Sequence, residues 1–371
     1  MDKDIEKFHE PLQKALAEKN IVQLSEVQKQ CIPHALNGED VFAQAPTGSG
    51  KTYAYLLPIL ERIELQGKGK HLPQAIILSP TRELSLQIAD TVRELLAHIE
   101  GIRTAVLTGG VDMNAQVRSF KNGADIVIGT PSRICDHLRR HTLKTKNCHT
   151  AVLDEADVML SMGFEEDVRT VLAQLPEHQT MLFSATYPDE IRQLAEQSLQ
   201  DPFECQIQQE TLLEQKIAYH AFDLKEKEKP DLLFSLLKRQ QKCILFANTI
   251  RTCDFLQKLL HQKGFSAETI HSDMDYSIRK RIMQEFRDGP LQTLIATDVA
   301  SRGIDIPAVS CVILYDLPDN EDSLIHRTGR TARAGNTGEV DLFVTAKDRH
   351  RFPLKKYFPD LSEKTYIPDA H

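Results

Sequence analysis

Tryptophan is absent from this 371-residue chain, aromatic residues make up 6% of it, and glycine and proline number only 17 each. Such a composition excludes a collagen-like repeat, and 41% hydrophobic residues beside 26% charged ones exclude extensive disorder. Cysteine is scarce as well. The seven thiols, Cys31, Cys135, Cys148, Cys205, Cys243, Cys253 and Cys311, are odd in number and never form a Cys-x-x-Cys pair. That excludes a zinc ribbon and argues for reduced, buried side chains over a disulfide frame. No apolar run approaches the roughly 20 residues that cross a bilayer, and the acidic, lysine-punctuated start lacks the cationic and apolar regions of a signal peptide. The expectation is a soluble cytoplasmic protein with no membrane partner. Net positive charge is missing too: 45 Lys and Arg face 53 Asp and Glu, for a formal charge of -8. A chain of that sign does not coat nucleic acid by bulk attraction, so any nucleic-acid contact has to be built locally.

What the sequence does have is rhythm. At roughly 150 residues per domain the length suits two or three domains, each with enough apolar surface for a core. Short aliphatic runs, each followed by small or polar residues and a helix-like stretch, recur at 40–45, 75–79, 104–107, 125–129, 150–154 and 180–184. Near-continuous β-branched and aliphatic runs of this length, separated by amphipathic segments such as 83–98, predict buried parallel strands alternating with helices. Further runs at 243–247, 267–271, 293–296 and 311–315 repeat the pattern. The expected fold class is therefore α/β, with two tandem doubly wound parallel-sheet domains. The Gln/Glu-rich stretch 207–216 reads as a short linker between domains 1–206 and 217–371.

Open parallel sheets bind ligands at the carboxyl ends of their strands, and there the unusual residues gather. After the first run comes Ala45-Pro46-Thr47-Gly48-Ser49-Gly50-Lys51-Thr52, which matches the phosphate-cradling loop with Ala in place of its first Gly. Gly48 and Gly50 let backbone N–H groups curl around phosphate oxygens, Lys51 reaches the β- and γ-phosphates, and the Thr52 hydroxyl can ligate Mg²⁺. Such a loop calls for an acid at the end of a neighbouring strand. Asp154 supplies it, and Glu155 beside it is placed to orient or deprotonate a water attacking the γ-phosphate. For Asp157 a structural hydrogen-bonding role stands beside a functional one. Pro58 should bend the helix that follows the loop. Both halves present polar chemistry on one edge, so a cleft between them is the expected active site.

Asp154-Glu155-Ala156-Asp157, taken with the phosphate loop, resembles the DEAD-box ATP-dependent RNA helicases. The likeness extends through 80–84, Gly109-Gly110, 130–133 and 184–186, then through 296–298, 301–305 and 326–333. It implies two RecA-like domains that close on ATP and on single-stranded or locally melted RNA. Arg330 and Arg333, in an Arg-x-x-Arg spacing, would then be arginine fingers aimed at the γ-phosphate from the second domain. Gly303 and Asp305 resemble the family's nucleotide contacts from that domain, and Ser184, Thr186 and His326 resemble its coupling elements. Gln28 resembles the adenine-reading glutamine, whose amide can both donate and accept. The aromatic residue that the family stacks on adenine is missing upstream, and Phe8, the nearby substitute, reads as a buried side chain.

RNA held through phosphate and 2′-hydroxyl groups needs backbone N–H groups, hydroxyls and a few arginines. Pro80, Thr81, Arg82, Gly109, Gly110, Thr130, Pro131 and Arg133 offer these at strand ends, where the family places its RNA. Arg279 and Thr297 would add contacts from the second domain, with Asn248 and Thr249 weaker candidates. Two residues depart from the family pattern: Ser132 stands where Gly is usual, and Tyr276 where Gln is common. The basic run 139–146 reads as a solvated loop, since the Cys and His residues near it suit no zinc spacing. Beyond Arg349 there is room for a final helix and little more, so no appended RNA-recognition domain is expected. The resemblance and the residues together imply a monomeric, RNA-stimulated ATPase using ATP and Mg²⁺ that opens short duplexes or remodels ribonucleoprotein. An ATP-gated RNA clamp with little unwinding and a DNA helicase of the same superfamily are the alternatives.

Overall fold

The computed structural model describes residues 4–46, 48–66, 72–207, 217–239, 242–271, 273–297, 309–318, 321–331, 337–349, 354–358 and 361–365. Thr47, Gly303, Asp305 and Arg333 lie outside these residues, as do the side chains of Tyr276 and His326. The chain divides into two compact units, Met1–Gln209 and Glu210–His371.

The strands of the first unit are β1 (Val41–Gln44), β2 (Ala75–Leu78), β3 (Thr104–Leu107), β4 (Ile126–Gly129), β5 (Thr150–Leu153), β6 (Gln179–Ser184) and β7 (Phe203–Gln206). Helices α1 (Glu10–Glu18) and α2 (Glu26–Asn37) precede β1. Then α3 (Lys51–Gln66), α4 (Arg82–Leu95), α5 (Met113–Ser119) and α6 (Pro131–Arg139) follow β1 to β4 in turn. Two helices, α7 (Ala156–Ser161) and α8 (Glu165–Ala173), follow β5, and α9 (Asp189–Ser198) follows β6. The sheet order is β3-β4-β2-β5-β6-β1-β7 with every pairing parallel, so the loops leaving all the strands open on one edge.

Alternate residues of a single strand enter different cores. Val41 and Ala43 of β1 join one buried cluster, while Phe42 between them joins another. Burial on both faces is the reason these strands read as unbroken apolar runs. Phe8 is 4% exposed within the first of these clusters, in accord with its sequence reading, and His9 next to it is held by Glu61 of α3 through its backbone N–H at 3.1 Å and its ring at 2.5 Å. Helix α3 runs continuously through Pro58. All seven cysteines are buried free thiols.

The second unit has β8 (Ile217–Asp223), β9 (Cys243–Phe246), β10 (Ala267–Ile270), β11 (Thr293–Ala296), β12 (Cys311–Leu314), β13 (Gly338–Val344) and β14 (Ser362–Thr365). Their order, β10-β11-β9-β12-β13-β8-β14, is again all parallel. Four strands escape the sequence pattern. β7 and β14 are edge strands, which need no continuous apolar run, and β8 is mostly half-buried or exposed, with only Ala221 and Phe222 buried. In β13 the apolar run is interrupted by Asp341, which is buried and lies 3.1 Å from the His220 ring of β8. The segment past Arg349 therefore adds a strand to the sheet besides the expected short helix, Leu354–Tyr357. Ile207 donates its N–H to Gln44 O at 2.9 Å, so it continues the β7 pairing, and 208–216 lie outside the described residues. Among the described residues no helix is long and apolar enough to cross a membrane.

Candidate active site

β1 delivers the chain into a loop that closes on itself. Lys51 Nζ donates to Ala45 O at 2.6 Å, and the Ser49 N–H to Pro46 O at 3.3 Å. Gly48 and Gly50 take φ values of +84° and +97°, a region that side chains disfavour. At Gly50 space is also lacking, because a Cβ would lie 2.4 Å from Gln28 Nε2. Gln28 sits in the first turn of α2, 6% exposed, where its Oε1 accepts the Ser25 N–H at 2.9 Å and its Nε2 donates to Gly50 O at 3.0 Å. The glutamine expected to read adenine thus ties α2 to the phosphate loop. Gly50→Ala is expected to cost about 1–3 kcal/mol in backbone strain and to displace Gln28, weakening a fluorescent ATP analogue by about tenfold. An unchanged titration would show that the loop tolerates both.

Across the sheet, Asp154 follows β5 at 3% exposure with its N–H on Leu78 O at 2.9 Å. The Tyr55 hydroxyl donates to Asp154 Oδ2 at 2.7 Å. Burial pushes the Asp154 carboxyl above its ordinary range while the Lys51 charge opposes the shift. Burial likewise drives the Tyr55 phenol well up, so it remains a protonated donor. Sequence reasoning missed Tyr55. Its spacing of three and four residues from Thr52 and Lys51, which puts the three on one helix face, was the available signal. Glu155 occupies the N-cap position of α7 in a left-handed conformation, φ +53°, without a side-chain capping bond, strain of the kind found where a sharp turn aims functional groups.

Hydroxyl and carboxylate oxygens at Thr52 and Asp154 are the hard donors that Mg²⁺ prefers, and it needs few of them because it keeps several waters. Ser49 Oγ is buried in the loop without a hydrogen-bond partner among the described residues, so the site retains polar capacity for a phosphate and its ion.

Asp157 resolves toward structure that serves the site. Its Oδ2 accepts from the Ala185 N–H at 3.2 Å, the Thr186 N–H at 2.9 Å and the Thr186 hydroxyl at 2.9 Å. Ser184 Oγ donates to Thr186 O at 2.7 Å. Through Asp157 the turn after β5 is therefore bound to the turn after β6, and both flank the phosphate loop because β5, β6 and β1 are consecutive in the sheet.

The other half of the same edge, β3-β4-β2, carries the candidate RNA residues. Pro80 is buried, and the Thr81 hydroxyl caps α4 by accepting the Leu84 N–H at 3.2 Å, while its carbonyl accepts the Ser85 N–H at 3.1 Å and the Ser85 hydroxyl at 3.0 Å. Arg82 Nη1 reaches Gly110, where φ is +76° and a Cβ would lie 3.2 Å away, and Gly109 is exposed. Thr130 donates its N–H to Leu107 O at 3.1 Å ahead of Pro131, the first residue of α6. Arg133 Nη1 lies 4.0 Å from Met113 Sδ. Ser132, the departure from Gly, donates to Asp167 of α8 and so is absorbed by a local bond.

In the second unit Arg279, in the helix Tyr276–Asp288, and Thr297, after β11, are 4% and 7% exposed. Arg330 lies beyond the helix Glu321–Thr328, also 4% exposed, with its carbonyl accepting the Val309 N–H at 3.2 Å. A solvated helix face is not its setting. Arg327, overlooked in the sequence although it stands in the same run, is 2% exposed and donates to Asp316 O and Asn248 Oδ1, each at 2.7 Å. Asn248 also donates to Leu317 O at 2.8 Å, and Thr249 caps the helix Ile250–Gln262. Both weaker RNA candidates thus have local structural work.

A phosphate loop after β1, buried acids after β5, and a second parallel α/β unit with the same strand rhythm define a tandem RecA-like phosphate-loop protein. Consistent with that class, the DEAD/DEAH box helicase family model matches residues 25–194 and the helicase conserved C-terminal domain model residues 228–335. The DEAD-box ATP-dependent RNA helicase CshA of Geobacillus kaustophilus is 38% identical over 338 residues, 90% of this chain and 72% of that protein. CshA of Bacillus cereus is 41% identical over 325 residues, 87% of this chain, which spans 61% of the length of that relative. Among solved structures, Dbp5 of S. cerevisiae bound to RNA and ADP BeF3 superposes with a TM-score of 0.84 at 31% identity, covering 98% of this chain and 95% of that one. Mss116p bound to ssRNA and AMP-PNP gives 0.85 at 27% identity, with 99% and 79% covered. The chain belongs to the DEAD-box ATP-dependent RNA helicase family.

Proposed function

We propose that this protein is an RNA-stimulated ATPase whose hydrolysis is coupled to closure of its two units on RNA, with local duplex opening or ribonucleoprotein remodelling as the result. The observation that carries the reading is the single sheet edge on which the phosphate loop and acids of β5-β6-β1 adjoin the arginine, glycine and threonine loops of β3-β4-β2. The RNA and ATP-analogue complexes of Dbp5 and Mss116p support it.

In this reading the loop N–H groups and Lys51 bind the phosphates of ATP. Thr52 and Asp154 would hold Mg²⁺, with Tyr55 fixing the carboxylate; when bound, the ion supplies positive charge to the phosphoryl oxygens. Glu155 orients the attacking water and takes its proton as the water oxygen bonds to the γ-phosphorus and the bond to the ADP oxygen breaks. Arg330 and Arg333 belong to the second unit, whereas the loop and acids belong to the first, so full charge stabilisation requires closure. Mutual tightening of ATP and RNA by about 5–150-fold is the expected scale for such coupling. Monomer action and the nucleotide roles of Thr47, Gly303 and Asp305 belong to the same proposal.

ATP turnover with RNA and with DNA of equal sequence, run beside a stopped-flow assay on a short duplex, tests the reading. RNA should stimulate turnover, DNA should not, and the duplex should open with ATP. Tight ATP-dependent RNA binding without strand release would make the protein a clamp, and equal stimulation by DNA would overturn the preference for the 2′-hydroxyl.

A further inference from the structure

A buried polar chain joins the two loops assigned to RNA in the first unit. Gln116 of α5, 3% exposed, donates from Nε2 to the carbonyl of Thr108, the residue before Gly109-Gly110, at 2.8 Å. Its Oε1 lies 3.0 Å from Nε2 of His137, a fully buried residue of α6. Because the Gln116 nitrogen is spent on a carbonyl, its oxygen must accept, so His137 Nε2 carries the hydrogen. Burial, and after it the charge of Arg133, lowers the His137 pKa, which keeps the ring neutral with a single N–H to give. The second ring nitrogen lies 2.8 Å from the Thr142 hydroxyl, and Phe120 meets the ring edge-on at 5.6 Å between centroids, so the imidazole is fixed in place.

His137 and Arg133 are four residues apart and share a face of α6. That face meets α5 twice, Arg133 at Met113 and His137 at Gln116. Helix α5 therefore stands as a bracket between the Gly109-Gly110 loop and the first turn of α6, which holds Thr130, Pro131 and Arg133. We infer that His137, acting through Gln116 on the Thr108 carbonyl, is a positioning residue for RNA: it sets the spacing between the two loops proposed to contact the strand. The inference rests on the RNA reading above. A buried polar chain costs stability wherever it is incompletely satisfied, so a chain satisfied at each link and ending on a ligand loop fits the holding of a loop geometry better than the filling of a core.

The test is RNA-stimulated ATPase titrated with a single-stranded oligoribonucleotide, together with anisotropy of the labelled strand in the presence of a nonhydrolysable ATP analogue. For His137→Met the half-saturating RNA concentration is expected to rise about tenfold, with RNA-independent turnover and the rate at saturating RNA within about twofold of wild type. His137→Gln, which keeps an N–H near the same place, should restore wild-type affinity. Gln116→Glu still accepts from His137 but has no N–H for Thr108, so it should reproduce the defect of His137→Met and serves if that variant fails to fold. Unchanged half-saturation in folded His137→Met or in Gln116→Glu, or a fall in maximal rate at unchanged RNA affinity, would overturn the inference. Absence of any RNA response in the wild-type protein would instead overturn the proposed function.

Discussion

Arg330→Ala is expected to lower RNA-stimulated ATP hydrolysis by about 10³-fold or more, the scale of a lost arginine finger, while ATP and RNA affinities stay within a few-fold of wild type. In the proposed reading the guanidinium acts on charge that develops as the phosphoryl group transfers, so its loss should fall on the transition state and spare the bound ground state. Two of the bonds that build its turn come from other groups: its carbonyl accepts the Val309 N–H at 3.2 Å, and the Thr331 hydroxyl donates to Val309 O at 2.6 Å. Truncation should therefore leave the turn in place. Arg330→Lys keeps a charge but loses the planar fork, and should recover little. Arg327 provides the contrast, because its guanidinium bonds Asp316 O and Asn248 and lies 5.4 Å from the Phe246 ring, so Arg327→Ala should lower the melting temperature before it lowers the rate per folded molecule. Single-turnover hydrolysis with thermal melting of both variants separates the two roles, and an unchanged chemical rate in Arg330→Ala would remove it from the site.

Legibility in the sequence followed the physics of burial. Strands buried on both faces, such as β2 with Ile76 facing one core and Ile77 the other, announce themselves as apolar runs. β14, Ser-Glu-Lys-Thr at the rim of its sheet, has no apolar constraint to reveal it. Candidate site residues were legible where chemistry demands a residue type at a fixed strand end, as for Lys51 and Asp154. They were hidden where the function is contact between side chains distant in sequence: Tyr55 meets Asp154 across 99 residues, and Arg327 meets Asn248 across 79. Gln28 shows a third case. Residue type and motif mark it as an amide with work to do, and only the fold reveals that both ends of that amide are engaged, on Ser25 and Gly50.

Glu155→Gln should stop turnover and hold what the wild type releases. The replacement keeps length and hydrogen-bonding shape, so the left-handed backbone at φ +53° ahead of α7 persists; what disappears is the capacity to take a proton. Loss of a general base typically costs about 10²–10⁴-fold. Closure would still proceed, because Lys51, Thr52, Asp154 and the arginines remain, and the closed complex would then lack its exit. ATP and RNA should dissociate together and slowly, which filter binding after dilution into competitor RNA measures directly. Lys51→Ala and Asp154→Ala should also abolish turnover, for a different reason. Lys51 is the cation that spans the loop at 2.6 Å from Ala45 O, and Asp154 is the carboxylate on which the Tyr55 bond converges, so in the proposed reading their loss removes the means of gripping the triphosphate. The three variants thus share an absence of product but differ in occupancy: Glu155→Gln retains ATP and RNA, and the other two retain neither. Full turnover in Glu155→Gln would mean that the attacking water is activated by another group. Turnover lost without retention would mean that closure itself depends on the Glu155 charge.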